Sequence, residues 1–392
     1  MKLFDEIKKS ESEWLTKTRH DFHTIPELGL KEVETTKKII TFLKEWGYEL
    51  DQSTSKTGVV ATLTNGKGPT VGIRADIDGL PIIEQTGASY ASKNKAMHAC
   101  GHDGHITMGL GAAKYLAKTK NFKGTVKFIF QPAEETGEGA KTMIKGGILK
   151  KHHFDSIIAL HGIPSTLQPN VANKDFYLGF IMQPGKALLA SSDIFEATFI
   201  GKGGHSSAPE NANDPIPAAL DFIQSIYLIR ERIIPSAERT VFSVCQISAG
   251  TAANIIPNSV TVKGTLRSQS ADIRKLFTDK IKAFANASAK KWNLKLNYSV
   301  HGVPPTINNY EWTLKARNIA EETFGKDKII DAESVMASED FPLFVENIPG
   351  VYGIVNTGPQ VSVHNPKYNF ADDSLPIGVT YFVAYVQNVL KK

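Results

Sequence analysis

The order of the hydrophobic patterns along the chain restricts its fold more than any other feature. Through the first half, short apolar runs of strand length alternate with longer stretches in which apolar residues recur at helical spacing. The predicted helices are 32–46, 106–117 and 139–149, and the predicted strands are 59–64, 70–77, 124–130 and 156–160. This alternation is typical of an α/β domain in which helices pack on a central sheet.

The pattern changes near Gly185 and changes back after Val303. Between these positions we predict strands at 192–201, 240–249 and 259–267 and helices at 214–234 and 271–292. Beyond Val303 the alternation resumes, with helices at 311–324, 341–346 and 375–390 and a strand at 351–356. We therefore expect an α/β domain formed by residues 1–184 and 294–392. It is interrupted by an inserted α+β domain, residues 185–293, with an antiparallel sheet and two helices.

The composition excludes several classes of partner. The formal net charge is only +5 over 392 residues and no aromatic-interleaved basic patch is present, so nucleic acid is not an expected partner. No run approaches the roughly 18 apolar residues of a membrane span, and the charged N-terminus lacks the apolar core of a signal peptide. Two cysteines cannot form a disulfide framework. We expect a protein of the reduced cytoplasm that does not bind a membrane.

The stretch 97–105, Met-His-Ala-Cys-Gly-His-Asp-Gly-His, carries the most chemical information. It places three histidines, an aspartate and one of the two cysteines within nine residues. Cys100 and His102 are two residues apart, so an extended segment puts both side chains on one face. Cysteine, histidine and glutamate are the side chains that bind transition metals, so this stretch predicts a metal site.

Further candidate ligands follow predicted strands. The adjacent pair Glu134 and Glu135 follows the strand 124–130, and His161 follows the strand 156–160. Open α/β sheets place their sites at the carboxyl ends of strands. His364 follows the strand 351–356 and lies at the same edge if that strand is parallel to the others.

These candidates are too many for one catalytic ion, which takes three protein ligands and a water. Five ligands fit two ions roughly 3.5–4 Å apart with a bridging group: Cys100, His102, His161, His364 and one of the two glutamates. A water between two cations is partly ionised near neutral pH, and the remaining glutamate takes its proton and passes it to a leaving amine. A thiolate ligand favours Zn²⁺ or another late transition ion.

Two other classes of function stay open on the residues alone. Cys100 could be the nucleophile of a thiol enzyme with His102, although no clear Asn or Asp orienter accompanies the pair. A non-enzymatic member could keep the fold as a binding protein, although a binder does not need a base beside a full metal site. Of the other histidines, we expect His98 and His105 to orient ligands, and His23 to be structural or on the surface.

Read together, these residues resemble the M20 family of metallopeptidases. The similarity is to its amidohydrolase branch, which contains N-acyl-amino-acid, hippurate and indole-acetyl-amino-acid hydrolases. Seven motifs in order carry the resemblance along nearly the whole chain: 19–29 (Arg-His-Asp-Phe-His-Thr-Ile-Pro-Glu-Leu-Gly), 74–81 (Arg-Ala-Asp-Ile-Asp-Gly-Leu-Pro), 97–105, 131–135 (Gln-Pro-Ala-Glu-Glu), 201–209 (Gly-Lys-Gly-Gly-His-Ser-Ser-Ala-Pro), 253–257 (Ala-Asn-Ile-Ile-Pro) and 338–341 (Ser-Glu-Asp-Phe). Each motif alone is weak, and seven in this order are specific. Ile77 and Gly79 depart from the branch, and neither is a proposed ligand.

The resemblance implies a role for each matching position. Five positions match the ligands of two divalent ions: Cys100, His102, Glu135, His161 and His364. Cys100 stands where relatives outside the branch carry a bridging aspartate, and Glu134 matches the general base. His205, on the inserted domain, matches a histidine that reaches the scissile carbonyl, often across a dimer. Asn254 and Arg267 match groups that engage the substrate carboxylate.

The implied function is hydrolysis of the amide bond of N-acyl amino acids, with a metal-bridging hydroxide as the nucleophile and Glu134 as the general base. The implied cofactors are two divalent ions, Zn²⁺ or Mn²⁺, with Co²⁺ or Ni²⁺ as further candidates. Dipeptidase activity and N-acetyl-diaminopimelate deacetylase-like activity are alternatives on the same scaffold. The resemblance also implies a small N-acyl amino acid or short peptide as substrate, and an inserted domain that serves as a lid and joins two copies in a homodimer.

Overall fold

The computed structural model describes residues 2–165, 179–330 and 334–391. The helices of these residues are α1 (Lys2–His23), α2 (Val33–Glu45), α3 (His102–Thr119), α4 (Gly139–Lys145), α5 (Ile148–Lys151), α6 (Ile216–Arg232), α7 (Ala271–Lys291), α8 (Tyr310–Phe324) and α9 (Leu375–Val389). The strands are β1 (Glu49–Asp51), β2 (Val59–Asn65), β3 (Thr70–Asp76), β4 (Gly124–Gln131), β5 (Ser156–Ile163), β6 (Phe180–Ile181), β7 (Ala187–Leu189), β8 (Ser192–Ile200), β9 (Gly204–His205), β10 (Thr240–Ala249), β11 (Ile255–Ile256), β12 (Ser259–Ser268), β13 (Lys295–Val303), β14 (Thr306–Ile307), β15 (Ile329–Ile330) and β16 (Gly350–Asn356).

The chain divides into two units by the contacts that its residues make. The first unit consists of Met1–Lys186, Ile307–Glu333 and Asp340–Lys392. The second consists of Ala187–Thr306 and Ser334–Glu339.

The first unit is built on a mixed sheet of eight strands in the order β1-β2-β4-β3-β5-β16-β6-β15. Neighbours among the central strands β4, β3, β5 and β16 run parallel, whereas β2 joins β4 antiparallel. Nearly all of β5 is buried, as is typical of a parallel strand that is covered on both faces. The carboxyl ends of four strands therefore share one edge of the sheet.

Helices α1, α3 and α9 pack against one another in the first unit. Leu15 of α1, Leu110 of α3 and Val379 of α9 are fully buried in the same hydrophobic core. This core fixes the position of α3, and α3 begins at one of the candidate ligands, His102.

The second unit contains a four-stranded antiparallel sheet in the order β10-β12-β8-β13, with α6 and α7 packed on it. Alternate residues of β12, among them Val260 and Val262, are buried in one core with Phe222 of α6 and Phe277 of α7. The strand order places β10 at an edge of this sheet.

Most predicted elements are confirmed, and the predicted strand 240–249 coincides with β10. Several predictions differ from the structure, and the predicted helix 139–149 is two short helices, α4 and α5. Helix α3 begins at His102 rather than at 106, because its first turn is polar and no apolar period marks it. The predicted helix 341–346 is only a single 3-10 turn, Phe341–Leu343. Strand β13 was not predicted, although Leu296, Tyr298 and Val300 alternate with polar residues; it begins two residues beyond the predicted end of the inserted domain at 293.

Within the described ranges, no helix combines the length and the apolar character that a membrane crossing demands. Both cysteines, Cys100 and Cys245, are free thiols.

Candidate metal centre

The predicted ligands gather at the carboxyl edge of the parallel strands in the first unit. Glu134 and Glu135 follow β4, and His364 lies in the segment after β16. Because β16 is parallel to β5, the condition for placing His364 at this edge is met. His161 lies within β5 rather than after a strand, because β5 continues to Ile163.

A left-handed turn joins Cys100 to His102, so the prediction of an extended segment was wrong. Gly101 has a φ of +86° and immediately precedes α3. A Cβ at this position would lie 2.9 Å from the Phe370 ring and 3.0 Å from the Tyr368 hydroxyl oxygen, so the turn requires glycine. The turn still directs both side chains to one cluster.

His102 presents one ring nitrogen to this cluster. Its Nδ1 lies 2.9 Å from the backbone oxygen of Asp78 and 3.2 Å from Asp78 Oδ1, so Nδ1 carries the proton and donates it. Its Nε2 is buried and has no hydrogen-bond partner among the described residues, so it is the ring nitrogen that this histidine can offer to an ion. A buried nitrogen in this state requires an explanation, and a bound metal ion supplies one.

Cys100 belongs to two groups of candidate ligands. The first group is Cys100, His102 and His161, with 3.4 Å between Cys100 Sγ and His161 Nε2. The second is Cys100, Glu135 and His364, with 3.3 Å between Glu135 Oε1 and His364 Nε2. Within each group the ligand atoms lie within 4.8 Å of one another. Three ligands for each ion with one shared sulfur is a donor set that fits two ions.

His364 reaches its group from a strained backbone conformation. Its φ is +64°, in the left-handed region that non-glycine residues seldom adopt. Its backbone N–H donates to the carbonyl oxygen of Ala99 at 2.7 Å. This hydrogen bond fastens the segment after β16 to the residue before Cys100, and such strain is found at sites where geometry matters.

The electrostatics of the cluster favour bound cations. Burial disfavours the imidazolium of His102, but the carboxylates of Asp76, Asp78 and Glu135 outweigh it and raise the pKa of His102 to about 10. Burial also raises the pKa of the Cys100 thiol well above its usual range, and the neighbouring carboxylates add to this effect. Reactive thiols have the opposite environment, in which positive charge lowers the pKa. The surroundings of Cys100 therefore disfavour a nucleophilic thiolate, and a bound cation would be needed to stabilise the charged sulfur.

Glu134 lies beside both groups without belonging to either. Its side chain is buried, and its Oε2 lies 4.0 Å from His102 Nε2. Residue types alone left the two glutamates equivalent. In the structure, Glu135 joins the group of Cys100 and His364, and both glutamates form a further candidate group with His102.

His105 is engaged at both ring nitrogens and has no lone pair for an ion. Its Nδ1 lies 2.6 Å from Asp76 Oδ1, and its Nε2 accepts the backbone N–H of Gly162 at 2.8 Å. Asp76 in turn accepts a hydrogen bond of 2.6 Å from Arg74. These contacts support the predicted orienting role of His105.

A buried charge network behind α3 was missed in the sequence. Arg19 donates to Asp103 Oδ2 at 3.0 Å, and His23 places its Nδ1 2.8 Å from the same oxygen and its Nε2 3.0 Å from Glu84. Burial disfavours the His23 imidazolium, but Asp103 and Glu84 outweigh it and raise the pKa of His23 to about 9. Because Asp103 follows His102, the network braces the turn that carries the ligands. The signal was the dense pairing of Arg and His in the motif 19–29.

In the second unit, the structure brings His205 and Asn254 onto adjoining segments. β9, which contains His205, pairs antiparallel with β11, and the backbone N–H of Ser206 donates to the Asn254 carbonyl at 3.1 Å. The backbone N–H of Ser207 donates to His205 Nδ1 at 3.1 Å. Nδ1 is therefore an acceptor, and the ring proton lies on Nε2 of this exposed side chain.

Arg267 lies on a different part of the second unit. It sits on β12 opposite Val241 of β10, and its Nη1 donates to the Met336 carbonyl at 2.8 Å. No described hydrogen bond or ion pair joins Arg267 to His205 or Asn254.

The chain is similar to proteins of one family over its whole length. Residues 72–388 match the sequence pattern of peptidase family M20/M25/M40. The chain is 39% identical over 396 residues to a hippurate hydrolase of Campylobacter jejuni, with 100% of both chains covered. It is 35% identical over 381 residues to an N-acetylcysteine deacetylase of Bacillus subtilis, with 96% of this chain and 97% of that one covered. Its fold matches the crystal structure of a dinuclear metal-binding M20 peptidase of Bacillus subtilis with a TM-score of 0.81, at 32% identity over 98% of this chain and 99% of the other.

Proposed function

Because the chain belongs to the amidohydrolase branch of peptidase family M20/M25/M40, we propose that it hydrolyses the amide bond of N-acyl amino acids with two divalent metal ions. The observation that carries the proposal is the pair of ligand groups that share Cys100, with Glu134 beside them. The relatives named for hydrolysis of hippurate and deacetylation of N-acetylcysteine support this substrate class.

In this proposal, one ion is held by Cys100, His102 and His161, and the other by Cys100, Glu135 and His364. When bound, the ions activate a water molecule and polarise the amide carbonyl. Imidazole and thiolate ligands suit Zn²⁺, with Co²⁺ or Ni²⁺ as further candidates, and the family resemblance adds Mn²⁺. The hydrogen bond from His102 Nδ1 to Asp78 supports the assignment, because it directs the Nε2 lone pair into the cluster.

We assign the proton transfers to Glu134. Its carboxylate takes a proton from the attacking water and delivers that proton to the amide nitrogen as the amine leaves. Its buried position beside the ligand groups supports this role, because a base must lie within reach of both the water and the leaving group.

We assign the residues of the second unit to the substrate. His205 donates from Nε2 to the carbonyl oxygen as negative charge develops there, which is a large contribution in acyl transfer. The hydrogen bond from Ser207 supports this assignment, because it leaves the proton on Nε2. Asn254 and Arg267 bind the free carboxylate of the substrate, for which a guanidinium is well suited.

We further propose a cytoplasmic homodimer that is formed through the second unit. Its edge strand β10 has ten residues and no charged side chain, and Val241 and Ile247 are 47% and 58% exposed. On α6, Leu220 and Leu228 are 56% and 55% exposed. A long, uncharged edge strand favours pairing with another chain, so a second copy of this unit is the expected occupant. The free thiols of both cysteines support a reducing compartment.

A hydrolysis screen of the metal-free protein and of the protein loaded with each candidate ion tests the function. The panel contains N-acetyl and N-benzoyl amino acids, dipeptides and N-acetyl-diaminopimelate. We expect metal-dependent release of free amino acid from one or more N-acyl amino acids. Preferential cleavage of dipeptides or of N-acetyl-diaminopimelate would select the alternative activities. Activity that resists chelators and is lost with iodoacetamide would select a thiol enzyme, and stable metal binding with no turnover would select a binding protein.

A further inference from the structure

The turn that carries the two adjacent glutamates contains a residue in a left-handed conformation. Ala133, directly before Glu134, has a φ of +52°. An L-residue with a Cβ is disfavoured in this region, and such a conformation persists only when the surroundings hold it. The backbone angles of Ala133 set the directions in which Glu134 and Glu135 leave the chain.

Hydrogen bonds hold both backbone groups of Ala133, which is fully buried. Its N–H donates to Glu32 Oε1 at 2.8 Å, and its carbonyl accepts the N–H of Gly139 at 3.0 Å. A Cβ built on Gly29 would lie 2.9 Å from the Ala133 Cβ, so the backbone near Glu32 also packs against the turn. The Ala133 conformation is therefore held on its N–H side by a segment that lies about a hundred residues earlier in the chain.

Glu32 itself is a fully buried carboxyl group at the start of α2. Its second oxygen, Oε2, accepts the hydroxyl of Thr57 at 2.7 Å. No ion pair to Glu32 is found among the described residues. Burial of a carboxylate without a cation is unfavourable, so an apolar residue would cost less if the position served packing alone.

We propose that Glu32 is a positioning residue for the hydrolysis proposed above: its carboxylate holds Ala133 in the left-handed conformation and so aims Glu134 at the reacting groups and Glu135 at its ion. This inference rests on the proposed function, because it assigns Glu32 a role through the proposed base and ligand. Glu32 does not contact the substrate in this proposal.

Four variants separate positioning from stability, with activity measured at saturating metal on the best substrate of the screen. Glu32→Leu removes the acceptor of the Ala133 N–H, and we expect kcat to fall roughly 10- to 100-fold with little change in KM. Glu32→Asp keeps the charge but withdraws the oxygen from Ala133, and we expect a smaller loss of kcat. Glu32→Gln keeps an acceptor for Ala133 and donates to Thr57, so we expect most of kcat to remain. Thr57→Val is the matched control, because it removes the bond to the other oxygen; we expect a lower Tm and an unchanged kcat.

Relief of the backbone strain provides a second readout that a structural role does not predict. Glycine adopts the left-handed conformation without steric cost. We therefore expect Ala133→Gly, placed in the Glu32→Leu or Glu32→Asp protein, to restore a large part of kcat without restoring Tm.

The proposal is overturned if Glu32→Leu and Glu32→Asp keep the wild-type kcat, or if Thr57→Val lowers kcat as much as these two variants do at an equal loss of Tm. If Glu32→Leu does not fold, Glu32→Asp with and without Ala133→Gly decides the question. A Glu134→Gln protein assayed alongside distinguishes a failure of the proposed function from a failure of the positioning role of Glu32. Full turnover in that protein contradicts the proposed function, whereas unaffected Glu32 variants beside an inactive Glu134→Gln contradict only the positioning role.

Discussion

At the scale of single residues, hydrogen bonds decide which histidines are available to an ion. His102 and His105 stand in one short motif and are both buried. Among the residues that the structure describes, His102 Nε2 has no hydrogen bond, whereas both nitrogens of His105 are engaged, one by Asp76 and one by the backbone of Gly162. The motif does not distinguish the two rings, because their partners come from other strands.

The assignment of Glu134 as the base predicts the behaviour of Glu134→Gln. The amide retains the volume of the side chain but cannot accept a proton, so we expect kcat to fall by roughly 10²–10⁴. Metal content, measured by elemental analysis, should stay at two ions. Glu138→Gln makes the same chemical change at an exposed position four residues away and should keep full activity. Full turnover in Glu134→Gln would remove Glu134 from the mechanism.

The sharing of Cys100 predicts a difference in metal stoichiometry. Cys100 belongs to both ligand groups, whereas His364 belongs to one of them. Cys100→Ala should therefore weaken the binding of both ions, and His364→Ala should weaken mainly the binding of one. Equilibrium dialysis at limiting Zn²⁺ measures the number of ions bound. If the two variants lost the same number of bound ions, the result would argue against a bridging thiolate.

At the scale of elements, the start of α3 carries two of the candidate ligands. The helix begins immediately after the left-handed Gly101, so the turn and the first helical residue carry Cys100 and His102. Both neighbours of this turn are buried aromatic side chains, Tyr368 and Phe370. Gly101 is therefore required both by the left-handed turn and by the close packing of Tyr368 and Phe370.

Gly101→Ala should cost more than backbone strain alone. The left-handed conformation costs an alanine about 1 kcal/mol or slightly more, and the contacts with Phe370 and Tyr368 add ~1–3 kcal/mol. Gly47→Ala is the matched control, because Gly47 has a φ of +78° and nothing within 4 Å of its Cβ position. Urea unfolding should show a loss of about 1 kcal/mol for Gly47→Ala and a clearly larger loss, with weaker metal binding, for Gly101→Ala. An equal loss of unfolding free energy in Gly47→Ala and Gly101→Ala would show that the site tolerates the added methyl group.

His23, at the end of α1, should make stability depend on pH. Its pKa is raised from 6.5 to about 9 in the folded protein, because Asp103 and Glu84 outweigh the effect of burial. The folded state therefore holds this proton more tightly than the unfolded state. The resulting stability is fully present below about pH 6.5 and is lost as the pH rises through about 9.

His23→Gln removes this contribution. The difference in unfolding free energy between the wild type and His23→Gln, both saturated with metal, should be largest near pH 6 and shrink toward pH 9.5. Denaturant titrations across this range measure it. A difference that is constant with pH would show that the His23 charge does not contribute.

At the scale of the whole molecule, the exposed apolar surface of the second unit predicts assembly. If β10 and α6 meet a second copy, the wild type should have twice the chain mass in light scattering. Ile247→Lys combined with Leu228→Lys places charges on this surface and should yield monomers. Ile83→Lys is the control, because Ile83 is 69% exposed in the first unit and its substitution should not change the mass. A wild-type monomer would contradict the proposed dimer.

The sequence by itself determined the order of most of the longer helices and strands, because hydrophobic periodicity is a local property. It also indicated the ligand types, because metal binding requires particular side chains. The period of two in β13 was present but overlooked, whereas the polar first turn of α3 carries no periodic signal. These elements are stabilised by neighbours that are distant in the chain.

Only the tertiary structure decided how each side chain is used. The positions of Cys100, Glu135 and His364 in one group depend on the pairing of parallel strands and on hydrogen bonds between segments. The role proposed for the buried Glu32 rests on its contact with Ala133, about a hundred residues away. Such contacts leave no periodic trace in the sequence, because they join residues whose separation along the chain is arbitrary. The sequence therefore indicated the types of candidate ligand, and the fold decided which hydrogen bonds each candidate makes and which group it joins.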